Sequence, residues 1–97
     1  MEAKEQCPAG TDIKTESRCR EADVLAASLG LNPKRAFLSG SWDHVPYHCS
    51  ALTGATLAAY KDDDTVHFNT DSHTKNTAFN TGEMVMICES GKTIFPV

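Results

Sequence analysis

The sequence has no apolar run approaching the roughly 20 residues that a membrane-crossing helix needs, and no basic run longer than the pair Lys34-Arg35. The first absence excludes a transmembrane helix. The second, with 13 acidic residues against 9 basic ones and a formal charge of −4, argues against a nucleic-acid partner. No C-x-x-C, no G-x-S-x-G, no internal repeat and no low-complexity tract is present, and there is one tryptophan. The opening MEAKEQ is acidic and polar, where a secretory signal would be basic and then apolar. The chain is therefore expected to be a trimmed product, or one exported or packaged by another route.

What the sequence does have is an even set of cysteines, Cys7, Cys19, Cys49 and Cys88, spread across 97 residues. A single domain of this size hides a small share of its surface, and many of its 40% apolar residues are alanines that bury little area. Covalent bracing is expected to make up the difference. Zinc sites take paired ligands from one tight turn, whereas the nearest cysteines here, Cys7 and Cys19, lie 12 positions apart.

Along the chain, the proline and glycine of Cys7-Pro8-Ala9-Gly10 predict an irregular lead-in. A helix is expected over 16–29, capped by Thr15 or Ser17, with Cys19, Ala22, Leu25, Ala26 and Leu29 along one face and Gly30 as its stop. Ala36-Phe37-Leu38 reads as a short strand ended by Ser39-Gly40-Ser41. Pro46 rules out a regular helix through Trp42–Ser50. The run over 51–60 fits either a strand pair or a short helix. Lys61-Asp62-Asp63-Asp64 is expected to be a solvated turn, and Thr65–Asn69 a half-buried strand from its alternation. Residues 70–81 read as a long exposed polar loop and Met84–Cys88 as a buried strand, followed by an apolar tail over 89–97 that includes Thr93, Ile94, Phe95 and Val97.

The densest chemistry lies in Ser39–Ser50, SGSWDHVPYHCS. His44 and His48 have H-x-x-x-H spacing, but Pro46 between them prevents the helical turn that would make it a zinc pair. Neighbouring side chains in an extended segment point to opposite faces, so His48 does not activate Cys49. Asp62-Asp63-Asp64 lacks the alternating ligands and glycine of a calcium loop, although calcium remains the one cofactor considered; otherwise none is expected. Trp42 and Tyr60 with Asn69, Asn76 and Asn80 are materials for a glycan site, an apolar platform ringed by amides. Packing against a disulfide is the favoured fate of Trp42.

Four features together, CREADVLAASLGL from Cys19 to Leu31, GSWDHVPYHCS, VHFNT and a last cysteine after an asparagine-rich loop, resemble a family of small cysteine-rich domains of secreted or surface proteins in algae and other protists. Trp42, His44, Pro46, Cys49, His67, Phe68 and Asn69 match. His48 stands where such sequences commonly carry glycine, and the stretch from Thr53 to Thr65 is longer than usual. The resemblance implies a disulfide-braced extracellular module and carries over no catalytic residue. Of the three pairings that four cysteines permit, Cys19–Cys49 with Cys7–Cys88 is favoured, because the helix start and the proline-containing segment should abut in a compact fold. Bridges closing about 30 and about 80 residues would each restrain the unfolded chain by roughly 3.5–4.5 kcal/mol.

The expected architecture is α+β: one N-terminal helix packed on a small antiparallel sheet, two disulfides and long polar loops, in one domain over 1–97 with its core about 7–88. The expected role is a non-enzymatic structural or interaction module outside the cell or on a cell or virion surface. Its partners would be itself, through strand addition by the tail into a filament or coat, or another surface protein. The alternatives are a glycan-binding domain and, behind it, a small metal-dependent hydrolase using His44, His48, His67 and Asp43.

Overall fold

The computed structural model describes residues 7–53, 63–74, 84–91 and 93–96. One helix and a five-stranded mixed sheet, cross-linked by two disulfides, make an α+β fold. Thr15 starts helix α1 (Glu16–Val24): it sits in extended backbone and its hydroxyl accepts from Arg18 N, satisfying one of the N–H groups a helix leaves open. The helix does not run on to Leu29 as an α-helix. It tightens into a 3₁₀ turn over Ala26–Leu29, and Gly30 closes it with a left-handed φ of 79°. In a 3₁₀ turn positions i and i+3 eclipse, so Ala26 and Leu29 both reach the core while Leu25 is left exposed, contrary to the expected stripe.

The strands are β1 (Leu38–Gly40), β2 (His48–Leu52), β3 (Val66–Asn69), β4 (Met84–Ser90) and β5 (Thr93–Pro96), in the order β1-β3-β2-β4-β5. The sheet is mixed, not antiparallel as expected, because β1 runs parallel to β3 while the other three pairings are antiparallel. The first strand also begins later than expected and takes in Ser39 and Gly40. Placing β3 between β1 and β2 forces the chain to arch over the end of β3 as it passes from Gly40 to His48. That arch is most of the segment singled out in the sequence.

Side chains alternate between the two sheet faces. On one face Cys49 and Ala51, Val66 and Phe68, Val85 and Ile87, and Ile94 share a buried cluster with Ile13, Cys19, Ala22, Ala26 and Leu31. On the other, Met84 meets Val45, Trp42 and Leu52, while Met86 and Cys88 meet Cys7 and Phe95. With both faces covered, β3 is buried along its whole length, although its alternating sequence predicts burial on one face.

The segment Thr93–Pro96 is part of this fold: β5 pairs with β4 from Ser90↔Thr93 to Ile87↔Pro96, and Ile94 enters the main core. Just after β4, Gly91 supplies the positive φ that tight hairpins require. Asp63 corrects another expectation. It is not a solvated turn residue but 3% exposed, with its carboxylate bonded to Arg35 Nε (2.8 Å) and to the Thr65 hydroxyl, and its carbonyl to Lys34 N. Asp64 Oδ2 accepts from Asn32 N, so the two aspartates pin the 32–35 loop beside the start of β3. The expected loop over 75–81 and the ambiguous run over 54–60 lie outside the described residues.

Candidate functional site

The arch from Ser41 to Tyr47 is built around one side chain, Asn69 at the end of β3. Its Oδ1 accepts from Trp42 N (2.9 Å) and Asp71 N (3.1 Å), and its Nδ2 donates to Trp42 O (2.9 Å) and Val45 O (2.7 Å). All four hydrogen-bonding positions of a primary amide are thereby used, on a side chain with no exposed surface. Asn69, expected among glycan-contacting amides, has nothing left to offer a ligand. It fastens the β1–β2 crossover onto the sheet. Thr74 Oγ1 adds a second donor to Val45 O (2.7 Å).

Trp42 is half-buried and does not rest on a disulfide, as the sequence suggested. Its ring stands edge-on to His67, with centroids 5.4 Å apart and planes at 72°, beside the Val45 and Met84 cluster. It also lies so close to Gly40 that a β-carbon there would come within 3.1 Å of Trp42 Cζ2, which is why glycine ends β1. Thr70 N and Oγ1 both donate to Gly40 O, closing this corner from the other side.

The histidines do not converge. His67 is buried and its Nδ1 donates to Thr65 O (3.0 Å), while burial pushes its pKa below the usual histidine value. His44 is exposed, 3.5 Å from Asp43 Oδ1. His48 takes a left-handed φ of 77°, and its ring stacks on Tyr47 with centroids 3.8 Å apart. Its Nδ1 is enclosed with no hydrogen-bond partner among the described residues, and burial lowers its pKa too, outweighing the pull of Asp12. Among the described residues, no three His, Cys, Asp or Glu side chains are grouped so as to hold a metal ion.

Cys19 and Cys49 are joined, with their Cα atoms 5.6 Å apart, and both are sealed in the main core. Cys7 and Cys88 are joined across a separation of 81 residues. Thr93, Ile94 and Phe95 lie in β5, while Tyr60, Asn76, Asn80 and Val97 lie outside the described residues. Sequence reasoning missed the structural use of Asn69 and the ion pairs Arg35–Asp63 and Arg18–Glu89. The only advance signal for Asn69 was an asparagine terminating a strand, where an amide side chain readily bonds backbone groups two residues on, as it does at Asp71 N. No protein-family model, no curated protein and no solved structure matches the chain.

Proposed function

We propose that the chain is a non-enzymatic interaction or structural module that works outside the cell or on a particle surface, akin to the cysteine-rich family it resembles. The observation that carries this reading is the Cys19–Cys49 bridge, with both residues at zero exposure in the cluster that gathers helix side chains and all three interior strands. A core assembled around a cystine fits an oxidising compartment, where small domains use disulfides to supplement a thin interior. In this reading α1 lies across one sheet face, clamped by that bridge, and polar loops present the working surface.

Three of the polar candidates among the described residues are engaged in holding the fold. Asn69 is saturated, Trp42 is set against His67 and Gly40, and Asp63 is paired inward. Thr93–Pro96 is likewise paired within the domain, and Pro96 presents no N–H at the sheet edge, a common way of blunting strand addition. The interaction role is therefore assigned to the loops rather than to β5.

Intact mass after alkylation of untreated protein, compared with reduced and alkylated protein, tests this reading. No alkylated cysteine before reduction and four after it is the expected result. Four reactive thiols in freshly isolated native protein would return the chain to a reducing compartment and overturn the proposal.

A further inference from the structure

The two bridges are built differently. Cys19 and Cys49 are both sealed in the main core, whereas the Cys7–Cys88 bridge has one buried end, Cys88, and one partly exposed end, Cys7. The strap that follows Cys7 is lightly held. Pro8, Ala9 and Gly10 are exposed, Thr11 and Asp12 are partly so, and the next enclosed side chain is Ile13. Between Cys7 and Ile13 the strap touches the sheet through the Asp12↔Cys88 bridge and the bond from Glu89 N to Thr11 O (2.8 Å). There it occupies the flank of β4 beyond the point where β2 ends, since β2 pairs only with Met84–Met86.

We propose that Cys7–Cys88 is a redox-sensitive latch, opened by an external dithiol while Cys19–Cys49 remains intact, and that opening it frees the strap and uncovers the Cys88–Glu89 flank of β4. A thiolate of the reagent attacks Cys7 Sγ, forming a mixed disulfide and breaking the bond to Cys88, whose sulfur leaves and takes a proton from solvent. The reagent's second sulfur then displaces Cys7 and closes the reagent into its own disulfide, so two electrons pass from dithiol to protein. The same attack on Cys19 or Cys49 must wait for the main core to open, which exposes far more buried surface than lifting a strap of six residues.

The test is graded reduction of the native oxidised protein with dithiothreitol, quenched with an alkylating agent at intervals and read by intact mass and peptide mapping. The expected course is a two-label species carrying both labels on Cys7 and Cys88, with the four-label species forming at least about tenfold more slowly. Hydrogen exchange on the two-label species should show faster exchange at Glu89, whose N–H the strap holds, with β2 and β3 amides still protected. First labelling on Cys19 and Cys49, or passage from zero to four labels with no two-label stage, overturns the latch. So does a two-label species whose Glu89 amide exchanges as slowly as before. These outcomes are separate from failure of the functional reading, which would be visible at time zero as free thiols.

Discussion

Asn69 shows at the scale of one residue how a polar side chain can serve as core. Replacing it with alanine strands Trp42 N, Trp42 O and Asp71 N together and leaves Val45 O to Thr74 alone, and each buried group left unpaired costs about 1–3 kcal/mol, less whatever water recovers. Asn69→Ala is therefore expected to lose about 3 kcal/mol or more of stability, with Trp42 fluorescence shifting to the red before unfolding begins. Urea titration followed by that single tryptophan measures both effects.

His48 carries strain that can be relieved. A left-handed φ of 77° costs a non-glycine residue roughly 1 kcal/mol or more, and this one also encloses a ring nitrogen with no partner among the described residues. His48→Gly is expected to stabilise by about 1 kcal/mol, raising Tm by about 4–8 °C for a domain of this size. His48→Ala keeps the strained backbone and loses the stack on Tyr47, so it should lower Tm. If the two variants shift Tm in the same direction, backbone strain is not the cause.

Burial lowers the pKa of both His48 and His67 in the folded protein below the ordinary value of 6.5, so folding favours their neutral forms. Their contribution is fully present above pH 6.5 and is lost as pH falls through 6.5 toward the folded values, because the unfolded chain takes up protons first. Denaturant stability should decline between pH 7 and pH 5, and less steeply in a variant carrying His48→Gly and His67→Gln. Glu16, held low first by its hydrogen bond to Ser39 and then by Arg20, acts below its usual 4.5 and so outside that window.

Among the elements, the outer bounds of the helical segment were legible because both depend on local chemistry, the Thr15 cap that starts α1 and the left-handed Gly30 that closes the 3₁₀ turn after it. Its switch to a 3₁₀ turn was not, since Ala-Ala-Ser-Leu suits either helix and the choice is made by where Ala26 and Leu29 must meet the core. The consequence is checkable on the surface: Val24, 79% exposed, should accept Lys with a stability change within about 0.5 kcal/mol. Chemical denaturation of Val24→Lys measures that change. Strand β3 fails the alternation reading for a non-local reason. His67 and Asn69 are polar, as an exposed face requires, but an arch from elsewhere in the chain covers them. Asp63 misleads in the same way, since only the fold brings Arg35 to it.

For the molecule as a whole, two bridges of separations 30 and 81 each restrain the unfolded chain, by about 3.7 and 4.5 kcal/mol respectively in the chain-entropy account. Entropy alone makes the longer one more valuable. The environments reverse that order: serines at 19 and 49 would bury two hydroxyls in the main core at about 1–3 kcal/mol each where they lack partners, while one end of the other bridge is partly exposed. The variant with Cys19→Ser and Cys49→Ser is expected to be less stable than the one with Cys7→Ser and Cys88→Ser, as read by Tm under non-reducing conditions. Equal melting temperatures would mean that loop length alone governs. The number of cysteines made bridging readable from the sequence, whereas the mixed sheet was not readable because the crossover that inserts β3 leaves no local mark.

A pull applied upstream of Cys7 and downstream of Cys88 would not load the domain lying between them. The tension would pass through a single sulfur–sulfur bond, and the stretch between the two cysteines, a separation of 81 positions and about 270 Å of extended chain, would stay slack until that bond was cut. Among the described residues beyond Cys88, the end of β4 at Glu89 and Ser90 and the whole of β5 could be peeled away by force. Stretched between neighbours on a surface, such a protein would behave as a nearly inextensible link in oxidising surroundings and as a long spring in reducing ones.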